Sequence, residues 1–128
     1  MRTDGESPMQ RIVLKIALLM LFAVSITGCG PRHLGPEVRP EGVYFPFYAP
    51  EARSIAIAGS FNQWDVHRNM LTGPDKNGVW TIILPLPEGR YEYLFFINKK
   101  EWRLDPGAPR ADDGFGGKNS VVVIEKKS

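Results

Sequence analysis

The stretch "RSIAIAGSFNQWD", Arg53 to Asp65, contains a strand and its exit in thirteen residues. Ile55 and Ile57 alternate with small residues, and period two is the mark of a β-strand. Gly59, Ser60, Asn62 and Asp65 are then the residues a turn selects. Phe61 and Trp64 are not turn residues. Two large rings in one turn need two different fates. We expect Phe61 to plug the loop onto the core and Trp64 to be held outward.

The same alternation runs through the rest of the chain. In "GVYFPFYAP", Val43, Phe45 and Phe47 share one face, and Pro46 argues that this is an edge strand, because proline has no N–H to give a ladder. "GPDKNG", Gly73 to Gly78, is a turn cluster. In "VWTIILPL", Trp80, Ile82 and Leu84 form a core face. "RYEYLFFIN" sets Tyr91, Tyr93, Phe95 and Ile97 inward and leaves residues 90, 92 and 94 on the opposite face. "KKEWRLD" is a short hairpin return, and "GGKNSVVVIE" is a last strand. No window carries the 3.6-residue period of a helix. Six or seven short strands, with turns every 8–12 residues, predict an all-β antiparallel sandwich of about seven strands.

Residues 1–28 are set apart from the fold. Arg11 and Lys15 precede the apolar run "IALLMLFAVSI", Ile16 to Ile26, which is shorter than the ~20 residues that span a bilayer as a helix. This is the pattern of a signal peptide, and Met9 is a second candidate initiator. The run closes on "ITGC", which resembles the bacterial lipobox. The resemblance implies cleavage before Cys29 and lipid on that cysteine, hence a lipid-anchored envelope protein. Gly30 rather than Asp follows the cysteine, so an outer-membrane address is expected where the cell has one. Residues 29–42, rich in proline and glycine, read as a flexible tether. Residues 43–126 are the expected folded domain.

Composition excludes several classes. A net charge of +2 without a basic cluster argues against a nucleic-acid partner. A single cysteine forbids an internal disulfide. His33 and His67 are the only histidines and lack metal-site spacing, so neither metal nor cofactor is expected. Glycoside hydrolysis needs two carboxyls about 5–10 Å apart across a cleft. Asp112 and Asp113 are adjacent and belong to a solvated loop. Catalysis is not expected.

The order of the pieces carries more than any one of them. "VYFPFYAPEARSIAIAGSFNQWD", "GVWTIILPLPEGRYEYLFFINKKEWRLDPGAP" and "DDGFGGKNSVVVI" resemble, in sequence and spacing, the glycogen-binding module of the AMP-activated protein kinase beta subunit. They also resemble the N-terminal domains of branching enzymes, isoamylases and pullulanases. The resemblance runs from about Val43 to Ile124. It implies an immunoglobulin-like, early-set β-sandwich, and in many members an α-1,4-glucan ligand.

Carried over residue by residue, the resemblance implies a platform of Trp64 and Trp102. It places Leu94, in "YLFF", where the family has a lysine. Phe115 falls where a leucine enters the glucan helix, Gly117 falls at a threonine, and Asn119 matches an asparagine. Flat aromatics suit the apolar faces of sugar rings, and amides suit their hydroxyls. Leu94 removes a donor, for which Arg90, Glu92 or Arg103 could substitute. Asn62 is a further candidate for sugar bonding, although asparagine in a turn more often bonds its own backbone.

Three functions stay open at this point. One is a carbohydrate-binding lipoprotein that recognises α-glucan or another envelope polysaccharide. A second is a module that docks an envelope protein through the same aromatics. The third is a domain with no ligand. Exposure of Trp64 and Trp102 separates the first two from the third.

Overall fold

Alternating apolar residues can bury one face only by pairing two sheets. The structure, a computed structural model that describes residues 34–126, does this with eight strands. They are β1 (Glu37–Arg39), β2 (Gly42–Tyr48), β3 (Ile55–Gly59), β4 (Val79–Leu84), β5 (Gly89–Ile97), β6 (Glu101–Arg103), β7 (Arg110–Asp112) and β8 (Lys118–Ile124). One sheet has the order β1-β2-β4. The other has the order β3-β5-β8-β7, with β6 paired to β5. Every ladder is antiparallel. This is the all-β, immunoglobulin-like sandwich expected from the sequence. The expected leader, Met9, Cys29 and the start of the tether lie outside the described residues.

The inner faces meet through aromatic rings. Phe45 of β2 lies edge-on to Tyr93 of β5, with centroids 5.0 Å apart, and Phe47 lies against Phe95 at 4.5 Å. Each such pair contributes about 0.5–1.5 kcal/mol beyond its buried area. Ile55, Ile57, Trp80 and Leu84 complete this core, as their alternation predicts. Trp80 also donates its indole N–H to the Ala49 carbonyl at 2.9 Å, so its polar edge is satisfied inside.

Residues 69–72 tie one sheet to the other. Ile57 N–H donates to the Asn69 carbonyl and Leu71 N–H to the Ile55 carbonyl, while Thr72 and Thr81 exchange both of their main-chain bonds. The segment therefore joins β3 of one sheet to β4 of the other.

Two expectations need correction. The tether assigned to residues 29–42 contains β1, which pairs Glu37 to Tyr44, Val38 to Val43 and Arg39 to Gly42. Three residues are too few to show a period. Pro46 does not mark an edge strand, because β2 lies between β1 and β4. Its position is nonetheless consistent with proline's missing N–H. β1 covers β2 only from Gly42 to Tyr44, so Pro46 lies where that side of β2 has no partner strand.

Candidate functional site

β5 organises the outer face of the second sheet. β3 pairs with residues 93–97 of β5 along one edge. β8 takes residues 89–93 and β6 takes residues 95–97 along the other. Tyr93, Phe95 and Ile97 are buried in the core, so Arg90, Glu92, Leu94 and Phe96 face outward. Their cross-strand neighbours share that face: Ala58 opposite Leu94, and Trp102 opposite Phe96.

Trp102 lies on Phe96, with ring centroids 4.6 Å apart at 37°, and remains 47% exposed. Arg103, the next residue, forms an exposed ion pair with Glu101 on the same short strand. Leu94 is half-buried beside this aromatic pair. The β5–β8 register, continued one residue past its last pair Tyr93–Ser120, brings Asn119 opposite Leu94. Asn119 Nδ2 donates to Glu92 Oε1 at 3.4 Å. Leu94, Trp102 and Asn119 are thus brought to one face.

The loop after β3 explains its own odd composition. Gly59 must be glycine, because a Cβ there would run into the Glu92 carbonyl and the Phe61 ring. Asn62 is buried, with 3% exposure. Its Oδ1 accepts the Gly59 N–H at 3.0 Å, and its Nδ2 donates to the Ile57 carbonyl at 3.1 Å and to Asn69 Oδ1 at 2.8 Å. These bonds leave Asn62 nothing to offer a sugar, which corrects its candidacy. Phe61 packs on the core near Phe45 and Tyr91, as expected.

The chain then turns through two left-handed residues, Gln63 at φ 57° and Trp64 at φ 59°. Such a conformation costs a non-glycine residue roughly 1–2 kcal/mol. It is held by the Asn62 bonds and by Trp64 N–H donating to the Gly59 carbonyl at 3.0 Å. Trp64 emerges 38% exposed.

The two tryptophans are anchored at different points of the sheet. Trp64 hangs from Gly59, which faces Tyr93, on the β3 side; Trp102 faces Phe96 on the β6 side. Three residues of rise and two strand spacings put these anchors roughly 14 Å apart.

Phe115 occupies the tip of the β7–β8 hairpin and is 94% exposed. The Asp113 carboxylate builds the tip by accepting the N–H of Phe115 at 2.7 Å and of Gly117 at 2.9 Å. Those bonds, Phe115 first, hold the Asp113 carboxyl below the ordinary carboxylate range. Lys118 pairs with Asp112 at the base. Asp112 and Asp113 are therefore loop-building groups. Among the described residues, neither Phe115 nor Trp64 stacks on another ring.

One buried polar cluster was not anticipated. Asp105 is fully buried behind β6. Its Oδ2 accepts the Tyr93 hydroxyl at 2.7 Å and its Oδ1 accepts the Gly107 N–H at 2.9 Å. Its own N–H donates to Ser120 Oγ at 2.8 Å. Burial raises the Asp105 carboxyl above its ordinary value, while the bonds from Tyr93 and Gly107 oppose that rise. Burial, then the Asp105 charge, pushes the Tyr93 hydroxyl far up, so Tyr93 stays the donor. The cluster pins the loop that follows Trp102 to β5 and β8. Its only sequence signal is an aspartate after "EWRL".

The site is an aromatic surface on a β-sandwich. Among the described residues, no group of three or more His, Cys, Asp or Glu is gathered to hold a metal. These features define an immunoglobulin-like module with an exposed aromatic surface. The sequence profile of carbohydrate-binding module 48 (isoamylase N-terminal domain) matches residues 33–108, and the chain belongs to that family. Similar proteins include 1,4-alpha-glucan branching enzymes. That of Shewanella sp. (strain MR-7) is 30% identical over 117 residues, covering 85% of this chain and 15% of the enzyme. That of Bacillus cereus (strain AH820) is 31% identical over 84 residues, covering 62% of this chain and 13% of the enzyme. The chain thus spans about one seventh of the length of these relatives.

Proposed function

We propose that the domain binds α-1,4-glucan, or a closely similar polysaccharide, across the outer face of the second sheet. Trp102 and Trp64 act as platforms for sugar faces, Leu94 as an apolar contact between them, Asn119 as a hydroxyl partner and Phe115 as an apolar plug. The supporting observation is Trp102 stacked on Phe96 while nearly half exposed. An indole held rigid yet left in water is poised for a flat apolar ligand.

The leader gives this module a place. Lipid on Cys29 anchors it to the cell envelope, with an outer-membrane address where the cell has an outer membrane. Several acyl chains hold a protein stably where one does not. Many copies in one membrane turn weak sites into avid binding.

Isothermal titration with maltoheptaose tests the ligand. We expect binding that Trp102→Ala or Trp64→Ala weakens about tenfold, equivalent to about 1.4 kcal/mol. No heat at millimolar sugar removes the glucan. Palmitate labelling that survives Cys29→Ser removes the anchor.

A second reading is favoured by Leu94, which puts an apolar group where a sugar-bonding cation is expected. The same aromatics would then dock an envelope protein. Crosslinking in intact membranes tests this. A stoichiometric partner lost in Trp102→Ala supports it, and its absence dismisses it.

A further inference from the structure

Glu92, on the outer face, is bonded to Arg90, to Asn119 and to Ser60 at the root of the Trp64 loop. Its carbonyl accepts the Ser60 N–H at 2.9 Å, and its N–H donates to Ser60 Oγ at 3.2 Å. Ser60 is the first residue of the loop that carries Trp64. The Glu92 carboxylate accepts Arg90 Nη1 at 2.9 Å on Oε2 and Asn119 Nδ2 at 3.4 Å on Oε1. Leu94 is two residues further along the same face.

A carboxylate only accepts hydrogen bonds, so Asn119 can turn nothing but its NH₂ toward it. The Asn119 carbonyl is then directed away from Glu92. The Glu92 side chain is 28% exposed and that of Arg90 is 52% exposed, so this small network meets solvent and is half shielded from it.

We infer that Glu92 is a positioning residue for polysaccharide. It fixes Asn119 as a hydroxyl-accepting carbonyl and holds the Arg90 guanidinium at the rim as the donor that Leu94 does not supply. This rests on the glucan reading above and adds a division of labour to it. Sugar hydroxyls donate to Asn119 and accept from Arg90, and Glu92 orients both through its two oxygens.

The test has two parts on the folded protein. Side-chain amide resonances of Asn119, followed by ¹⁵N–¹H NMR without sugar, should move in Glu92→Ala and stay close to wild type in Glu92→Gln, which keeps an acceptor for Nδ2. Titration with maltoheptaose should show Glu92→Ala about tenfold weaker and Glu92→Gln within about threefold of wild type. The Glu92→Ala, Asn119→Ala double variant should be no weaker than the poorer single one, because the two residues act as a unit.

Unmoved Asn119 resonances in Glu92→Ala overturn the inference, as do additive losses in the double variant. If the wild type binds no maltoheptaose, the glucan reading fails, while the resonances still judge the positioning on their own. The ladder around residue 92 uses no side-chain atom of Glu92, so truncation should leave the fold intact. Should Glu92→Ala fail to fold, Arg90→Ala replaces it. A loss under twofold in Arg90→Ala then refutes the donor assignment.

Discussion

Replacing Asn62 by alanine should collapse the loop that presents Trp64. The side chain makes three good bonds, from Gly59 N–H and to the Ile57 and Asn69 oxygens, and it is 3% exposed. Alanine removes all three and leaves the buried Gly59 N–H without that acceptor. At about 1 kcal/mol for each bond, the loss is about 3 kcal/mol, and more where a stranded group stays dry. For a domain of this size, each kcal/mol moves Tm by roughly 4–8 °C, so a fall of roughly 12–24 °C is expected. Thermal unfolding followed by circular dichroism, with denaturant unfolding as a second measure, reads this directly. Asn62→Asp should not rescue it, because a carboxylate would face the Ile57 and Asn69 oxygens that now accept from Nδ2. A fall below roughly 4 °C would mean that something other than Asn62 sets this loop.

Four other outcomes are expected. Tyr93→Phe strands one oxygen of the buried Asp105 carboxylate and should cost about 2–3 kcal/mol in urea unfolding; a cost under about 0.5 kcal/mol contradicts the assigned bond. Because the native Asp105 carboxyl binds its proton more tightly than the unfolded one, its contribution to stability is full below the ordinary carboxylate range. That contribution is lost as pH rises through the raised native value, and Asp105→Asn should flatten this segment of the stability–pH curve. Lys99→Gly should raise stability by up to about 1 kcal/mol, since Asn98 and Lys99 form a turn with φ 53° and 58°, the geometry that favours Asn-Gly; a lower Tm refutes this. Phe115→Ala should leave Tm within about 2 °C, because the ring touches solvent, while weakening glucan binding by more than threefold; an unchanged titration removes Phe115 from the site.

Period two made β2, β3, β4 and β5 readable in the chain, because their large apolar residues recur at every second position, while β8 stood out as a continuous apolar run. β1, at three residues, and β7, between proline and paired aspartates, offer too short a pattern. Trp102 was readable as a surface residue because its neighbours are charged. The fate of Asn62 was not, because turn asparagines look alike until their partners are in space. Asp105 was hidden for a related reason. Nothing local distinguishes a solvated aspartate from one that meets Tyr93 and Ser120 from distant strands. Glu92 stood in the sequence as one exposed charge among several, and only the meeting of β5, β8 and the Ser60 loop distinguishes it.

β5 carries two messages on alternate residues. Its odd positions, Tyr93, Phe95 and Ile97, are committed to the core, and its even positions face outward. Selection can therefore rewrite the recognition surface one residue at a time without renegotiating the fold. A leucine at position 94 leaves the sandwich whole while changing what the surface can hold. A scaffold built this way can outlive its ligand, and residues 90, 92, 94 and 96 are the positions at which to graft a new one.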